Sequence, residues 1–271
     1  MNAPETLLEA VSYFSNPDNA FEFFKQIRWP RGVKCPRCGS KEVTFLSNAK
    51  VWKCKTPHPK QKFSAKVGTI FEDSPIGLEK WLPAMWMAAN CKNGVSSYEL
   101  HRALGVTQKT AWFMLQRVRL AMQQGLGKLG GVVEADETYI GAKARYMHKN
   151  RRTGVGDAGI AKTPVQGILE RDYDRRVIDH AISYAQGHVH TNGLENFWSL
   201  LKRALHGTYV NVEPFHLFRY LDEQAFRFNE RKENDAGRFV KALRGVVGKG
   251  LRYAKLIGGE GIHRPETWQT I

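Results

Sequence analysis

The N-terminal 30 residues place their apolar side chains at helical spacing in two separate runs. The runs consist of Leu7, Leu8, Val11 and Phe14, and then Phe21, Phe23, Phe24 and Ile27. The polar segment 16–19 lies between them and supplies Asn and Asp, which cap helices well. The pattern therefore predicts two short helices. Pro30 disfavours the helical conformation at Trp29, so the second helix should end there.

Residues 31–71 change to short runs of β-prone side chains between turn residues. Val43–Phe45 and Lys50–Lys53 are the clearest of these runs, and they predict a small β module. Helical spacing returns from Leu78 to Met122, where an apolar stripe is interrupted at Asn93 and again at Gly105. The pattern predicts a helical region after the β module.

The second half of that helical region has the form of a helix-turn-helix. Ser96 or Ser97 would cap a first helix, Gly105 would permit the left-handed corner, and Thr107 would cap a second helix. In a DNA-binding motif, the first residues of the second helix meet base edges or phosphates. Those residues are Gln108, Lys109 and Thr110. The alternative is an ordinary pair of antiparallel helices in a helical core.

A glycine-rich linker at 124–131 separates this region from a second part of the chain, so we predict a domain boundary there. Residues 132–139 alternate as a buried strand, and 164–169 form a second β-prone run. The stretch between them is too polar and too basic for a core, and we predict a loop over bound nucleic acid. Its cations include Lys143, Arg145, Arg151 and Arg152.

Charge distinguishes this chain of 271 residues from an average globular protein. It holds 41 Lys and Arg against 26 Asp and Glu, a formal net charge of +15. Such a charge indicates a polyanionic partner, with nucleic acid favoured over a ribosomal or membrane surface. No apolar stretch is long enough to span a membrane, and the N-terminus lacks the features of a signal peptide. These features predict a cytoplasmic, nucleoid-associated protein with no membrane partner.

Three of the four cysteines lie close together in a pattern typical of a zinc site. Cys35 and Cys38 are spaced as a metal-binding knuckle, and Cys54 follows after a predicted hairpin. His58 is the candidate fourth ligand, with water or another histidine as the alternative. A chance pair or a redox site remains the other interpretation of the two knuckle cysteines. Structural zinc supplies on the order of 10 kcal/mol of folding free energy in such small modules.

Two acidic residues stand out as candidate ligands for a divalent cation. Asp136 lies in the middle of an otherwise apolar strand, where a carboxylate is costly unless it is paired or binds a cation. Glu195 lies near the start of a predicted helix, and Lys202 follows seven residues later on nearly the same side. The carboxylate could hold a metal while the lysine holds a phosphate. Taken alone, Glu195 could simply complement the helix dipole.

Four segments carry a family resemblance, and they span most of residues 30–230. The segments are CPRCGS, FSAKVGTIFEDSP, VVEADETYIGAK and HVHTNGLENFWSLLKRALHGTY. They resemble bacterial insertion-sequence transposases that join a zinc ribbon to a DDE integrase domain of ribonuclease-H-like fold. The resemblance implies Asp136 and Glu195 as the first and third catalytic carboxylates, with Lys202 as the accompanying basic residue. We also predict that Lys202 and its neighbour Arg203 contact DNA. It also implies paired Mg²⁺ or Mn²⁺ for strand cleavage and transfer.

The sequence departs from this family at the second catalytic Asp. Asp136 and Glu195 are only 195 − 136 = 59 residues apart, which predicts an internal deletion near residue 175. The nearby acids do not match the family's context; they are Asp172, Asp174 and Asp179. We therefore expect a transposase with weak or no catalysis that binds double-stranded DNA at element ends and target sites as a homo-oligomer. The alternative is a non-catalytic DNA-binding remnant or regulator.

Together these patterns predict an α+β multidomain protein that ends in an incomplete ribonuclease-H-like α/β domain. The predicted order is N-terminal helices at 1–29, a zinc ribbon at 30–72, a helix-turn-helix-like region at 75–123, a shortened DDE domain at 130–230 and a basic C-terminal tail at 231–271.

Overall fold

The chain leaves its first unit after Gln123 and returns to it at Phe226. A computed structural model describes residues 3–123, 132–141, 162–171, 192–210, 212–257 and 268–270. Unit 1 comprises Met1–Gln123 and Phe226–Ile262, and unit 2 comprises Gln124–Ala225 and His263–Ile271.

Two helices open unit 1, as the apolar pattern predicted. Helix α1 (Leu7–Phe14) begins at Thr6, whose side chain accepts a hydrogen bond from the Glu9 amide. Helix α2 (Pro17–Arg28) begins at Asn16, whose side chain accepts from the Asp18 amide, and it ends at Trp29. These caps satisfy amides that have no partner inside the helix. The predicted helices, and the end of the second one before Pro30, are confirmed.

A three-stranded antiparallel sheet follows, in the order β1 (Val43–Leu46), β2 (Val51–Cys54), β3 (Lys62–Ser64). Val43 pairs with Cys54 and Phe45 with Trp52, so the first two strands form a hairpin. Lys50 closes its turn in the left-handed conformation. The predicted β module is confirmed, and its third strand was not predicted.

Three helices then complete the N-terminal part of unit 1: α3 (Leu78–Asn90), α4 (Ser97–Leu104) and α5 (Gln108–Met122). Ser96 and Glu99 form a reciprocal capping box at the start of α4. Gly105 ends α4 at a φ of 59°, a left-handed conformation that glycine adopts without strain, and Thr107 caps α5. Helix, glycine corner and helix lie where the sequence predicted them.

The C-terminal part of unit 1 packs into the same core. Helix α8 (Asp235–Arg244) buries Phe239, which lies against Phe14 and Phe23, and a short helix α9 (Tyr253–Leu256) follows. Arg117 of α5 donates to the carbonyls of Ile70, Glu72 and Leu251. This one buried side chain ties α5 to segments far apart in sequence.

Unit 2 holds a second sheet and a helix that packs against it. Strand β4 (Val132–Gly141) pairs antiparallel with β5 (Lys162–Arg171), which pairs in parallel with β6 (Trp268–Thr270). Helix α6 (Asn192–Ala204) contacts both β4 and β5. A π-helical turn, Leu205–Tyr209, a 3-10 turn, Pro214–His216, and helix α7 (Leu217–Asn229) follow, and from Phe226 onward α7 belongs to unit 1.

The mixed helical and sheet character of the chain is confirmed. The ribonuclease-H-like fold of the second half stays a prediction, because the described strands of unit 2 number only three. The bounds of the five predicted domains also stay predictions. Among the described helices, none combines the length and the apolar character needed to cross a membrane.

Candidate functional site

The three clustered cysteines and His58 converge at the end of the small sheet. Their ligand atoms all lie within 4.8 Å of one another. The knuckle is shaped by the Gly39 amide, which donates to the Cys35 carbonyl over 2.9 Å, and Gly39 then turns the chain at a φ of 77°. Cys54 is the last residue of β2. The fold thus brings together the four residues that the sequence singled out.

The spacing within this cluster fits a tetrahedral zinc site. The sulfurs of Cys38 and Cys54 are 3.6 Å apart, and the Cys35 sulfur lies 3.4 Å from Nε2 of His58. A tetrahedron built on ordinary Zn–S and Zn–N bonds has edges of roughly 3.5 to 3.8 Å. A disulfide would bring its sulfurs to about 2 Å, so the observed separation is that of two ligands and not of a cross-link.

The four groups of the cluster differ in the protonation state that their surroundings favour. Burial raises the pKa of the Cys35 thiol, but hydrogen bonds from the amides of Cys38 and Arg37 and from the thiols of Cys38 and Cys54 together outweigh burial and bring the pKa down to about 7. The pKa of Cys54 is also lowered, whereas those of Cys38 and His58 are raised, so metal binding at these two residues would release protons. His58 directs Nδ1 at the Pro59 carbonyl over 2.8 Å, which leaves Nε2 toward the sulfurs. A second hydrogen bond of this kind commonly orients a metal-bound histidine.

Cations surround the ribbon on the exposed surface of unit 1. They include Lys34, Arg37, Lys41, Lys53, Lys55, Lys60 and Lys62, all exposed. Arg37 donates to the carbonyls of Lys60 and Lys62 over 2.7 and 3.2 Å, so it fixes the loop that carries His58. The remaining lysines are positioned to meet an anionic partner.

The three residues predicted to meet DNA at the start of α5 have different surroundings. Gln108 donates to the Ser97 hydroxyl over 2.8 Å, and Thr110 bonds Thr107 over 2.8 Å. Lys109 is exposed, with its ammonium 5.1 Å from the centre of the Tyr253 ring. Of the three, Lys109 is therefore the most available to a phosphate. Tyr253 was not singled out in the sequence, because it lies 253 − 109 = 144 residues away and no local pattern connects the two.

The predicted catalytic carboxylates lie on two elements of unit 2 that pack together. The backbone of Asp136 pairs with Gly167 in the middle of β4, and its side chain is outside the described residues. Glu195 is exposed in the first turn of α6, the helix that contacts β4. Lys202 and Arg203 are exposed in its last turn.

Several predicted site residues lie outside the described part of the chain. They are the basic residues Lys143, Arg145, Arg151 and Arg152, and the acids Asp172, Asp174 and Asp179. Their predicted roles stay predictions.

Two segments of the chain are similar to known protein families. Residues 15–56 match the transposase zinc-ribbon domain, and residues 166–229 match the ISXO2-like transposase domain. Both models describe transposase domains, and together they match fewer than half of the residues of the chain. The zinc-ribbon match includes all three clustered cysteines and stops two residues before His58. The transposase-domain match includes Glu195 and begins after Asp136.

The chain is also similar to a protein from a transposable element. A protein of Halobacterium salinarum, described as an uncharacterized protein in transposable element ISH50, is 25% identical over 241 residues. The alignment covers 85% of this transposase-like chain and 78% of the relative. No solved structure matches the chain.

Proposed function

We propose that the chain is an insertion-sequence transposase whose zinc ribbon and helix-turn-helix bind the DNA at the ends of its element. The observation that supports this most directly is the Cys35, Cys38, Cys54 and His58 cluster, which has zinc-like geometry and whose three cysteines lie inside a segment that matches a transposase zinc ribbon. A chain of net charge +15 favours the phosphate backbone as the partner. Structural zinc would hold the knuckle and the hairpin together.

The helix-turn-helix supplies the second proposed contact. Lys109, the second residue of helix α5, is exposed. Gln108 bonds to Ser97 across the turn, and Thr110 bonds to the capping residue Thr107, so both stabilise the start of the helix. Such an arrangement suits a helix whose first turn enters the major groove. The same chain would act at target DNA as a homo-oligomer. It would work in the cytoplasm, where the DNA of a prokaryotic cell lies.

Asp136 and Glu195 are the proposed carboxylates of a strand-transfer site. Two observations support them: α6 packs against the strand that carries Asp136, and the transposase-domain match contains Glu195. Bound Mg²⁺ or Mn²⁺ would supply activation of a water or a 3′-hydroxyl for attack on the phosphodiester. Asp136 and Glu195 would hold the cation, and Lys202 would orient the phosphate.

The short interval before α6 favours a shortened catalytic domain. Only 192 − 171 − 1 = 20 residues separate the end of β5 from the start of α6. A crossover to a parallel strand takes a dozen or more residues by itself, which leaves little room for further strands and for the second catalytic Asp. We therefore propose weak or no strand cleavage. The second candidate function is a non-catalytic DNA-binding protein, either a remnant or a regulator that competes with an intact transposase.

A paired assay separates the two candidates. The zinc-loaded chain is tested with element-end duplex DNA for binding and, with Mn²⁺, for strand cleavage. In a catalytic protein, Asp136→Ala and Glu195→Ala abolish cleavage and leave DNA binding intact, whereas Glu137→Ala, an exposed neighbour of Asp136, serves as the control. We expect trace cleavage or none before any substitution. Robust turnover by the unmodified chain would contradict the shortened-domain proposal, and absence of DNA binding would contradict both candidate functions.

A further inference from the structure

A groove of about 360 Å³ opens on the ribbon side of unit 1. It runs between the loop 31–33 and the side chains of Lys41, Val43, Phe45 and Trp52 on the β1–β2 hairpin. This volume lies at the lower end of the range typical of ligand sites, so it suits one small planar group. The zinc cluster and the helix-turn-helix do not contribute to its lining.

Aromatic rings form the floor of the groove. Phe45 and Trp52 are cross-strand partners, with ring centres 5.1 Å apart. Phe21 of α2 stacks on Trp52 at 5.6 Å and on Phe45 at 6.1 Å, and Trp52 is buried. Phe45 remains 44% exposed. A phenyl ring that packs against Phe21 and Trp52 and still has almost half of its surface in solvent can stack with a planar ligand on its exposed side.

The rim of the groove carries positive charge and no acid. Arg31 and Lys41 are both exposed, and the other lining residues are apolar or glycine. This arrangement suits a nucleotide, because the cations can bind its phosphates and the aromatic ring can stack with its base. The only polar groups of the lining side chains are the donors of Arg31, Lys41 and the Trp52 indole, and stacking itself accepts any base, so this recognition should depend little on sequence.

We infer that this groove binds an unstacked base of single-stranded DNA, with Phe45 as the stacking residue and with Arg31 and Lys41 on the flanking phosphates. A duplex keeps its base faces covered by neighbouring bases, so only an unpaired nucleotide offers a face to Phe45. The inference rests on the proposed DNA-binding function. It adds a ligand that the helix-turn-helix does not serve, since a helix in the major groove reads a duplex and not the face of an unpaired base.

The test compares single-stranded and duplex binding by the full, zinc-loaded chain. A short fluorescein-labelled oligothymidine and a duplex of equal length are titrated by fluorescence anisotropy at fixed salt. Phe45→Ala should weaken binding of the single strand roughly tenfold, a loss typical of one base–aromatic stack. Binding of the duplex should stay within about twofold. Phe45→Trp should retain single-strand affinity, because indole also stacks.

Charge and folding are controlled separately. Arg31→Gln and Lys41→Gln should each reduce the slope of log K against log salt for the single strand by about 0.7, the share of one lost phosphate contact. Lys232→Gln, an exposed lysine of unit 1 away from the groove, should leave the slope unchanged. Phe45→Leu keeps the apolar volume beside Trp52 but removes the ring, and its zinc content confirms that the ribbon is folded.

Several outcomes would overturn the inference. Unchanged single-strand affinity in zinc-loaded Phe45→Leu would exclude stacking at this ring. An equal loss of single-strand and duplex affinity would show a surface that faces duplex DNA. Oligothymidine binding that none of the groove substitutions alters would place the single-strand site elsewhere, and the groove would then suit an apolar segment of a partner protein. Failure of the unmodified chain to bind the duplex is a different result, because it counts against the proposed function itself.

Discussion

Gly245 marks the tightest backbone approach among the described glycines of unit 1. It follows α8 with an ordinary φ of −70°, so its conformation alone does not require glycine. A Cβ atom at this position would lie 2.2 Å from the carbonyl oxygen of Ala121 in α5. No flexible side chain can relieve that contact, since the obstructing atom belongs to the backbone.

Gly245→Ala should therefore lower the free energy of unfolding by about 1 to 3 kcal/mol, the usual cost of overpacking a closed site. Gly250→Ala is the matched control, because a Cβ atom there would meet nothing within 4 Å. Urea denaturation of the full, zinc-loaded chain measures both variants. Equal stability of the two would show that α8 and α5 are not in this close contact.

His58 is the zinc ligand that most needs a direct test, because the family match ends before it. We expect His58→Ala to weaken zinc binding by tenfold or more, since loss of an orienting partner alone costs about 10- to 100-fold. His58→Cys should restore the binding, as a Cys₄ site also satisfies zinc. Cys91→Ser, outside the cluster, is the control.

Competition with a chromophoric chelator measures these zinc affinities. Full affinity in His58→Ala would mean that water or another histidine completes the site. The ligand spacing made three of the four ligands predictable from the sequence. For the fourth ligand, His58, the sequence left water or another histidine as alternatives. Its ring is oriented by contacts with the Pro59 carbonyl and the Cys35 sulfur, which form only in the folded loop.

At the scale of elements, α9 and the start of α5 form a joint surface. Tyr253 packs edge-on against Phe113 and holds the ammonium of Lys109 over its ring. Nearby Arg252 and Lys255 are exposed on the same short segment. Lys249 anchors that segment by donating to the carbonyls of Leu120 and Gln123 over 3.0 and 2.8 Å. The lysine proposed to meet a phosphate is thus positioned by the C-terminal part of the chain.

Tyr253→Ala should weaken binding of element-end duplex about two- to fivefold, because an exposed cation–π contact contributes about 0.5 to 1 kcal/mol. Tyr253→Phe keeps the ring and should bind as the unmodified chain does. Anisotropy titrations at low salt measure the difference. If Tyr253→Ala and Tyr253→Phe bind equally, the ring does not position Lys109 for DNA.

Local signals explain which elements were predictable. Asn16, Ser96 and Thr107 are strong helix caps beside periodic apolar runs, so α2, α4 and α5 could be placed from the sequence. Strand β3 has only three residues, which is too short a run to predict a strand from the sequence, and it forms by pairing with β2. The bridge between Thr69 and Val247 likewise joins positions that no local pattern relates.

At the scale of the whole molecule, the unit that holds the ribbon and the helix-turn-helix is built from both ends of the chain. Phe239 and Leu243 of α8 are fully buried in the same core as Phe14 and Phe24. Changes in composition along the sequence indicate only where neighbouring domains meet. They could not predict that residues 226–262 belong to the same unit as the N-terminal residues. In unit 2, the periodicity of apolar residues and the helix cap made β4, β5 and α6 predictable. The sequence pattern could not predict how these three elements pack against one another.

The most direct test of the central claim is the affinity of the full, zinc-loaded chain for the DNA that flanks its own gene. Each terminal flank is compared by anisotropy with a shuffled duplex of the same length and composition, over a range of salt concentrations. A transposase should bind a flank more tightly than its shuffled control, and its affinity should fall steeply with salt because phosphate contacts release counterions. Equal affinity for flank and control, or an affinity that salt does not change, would contradict recognition of element ends.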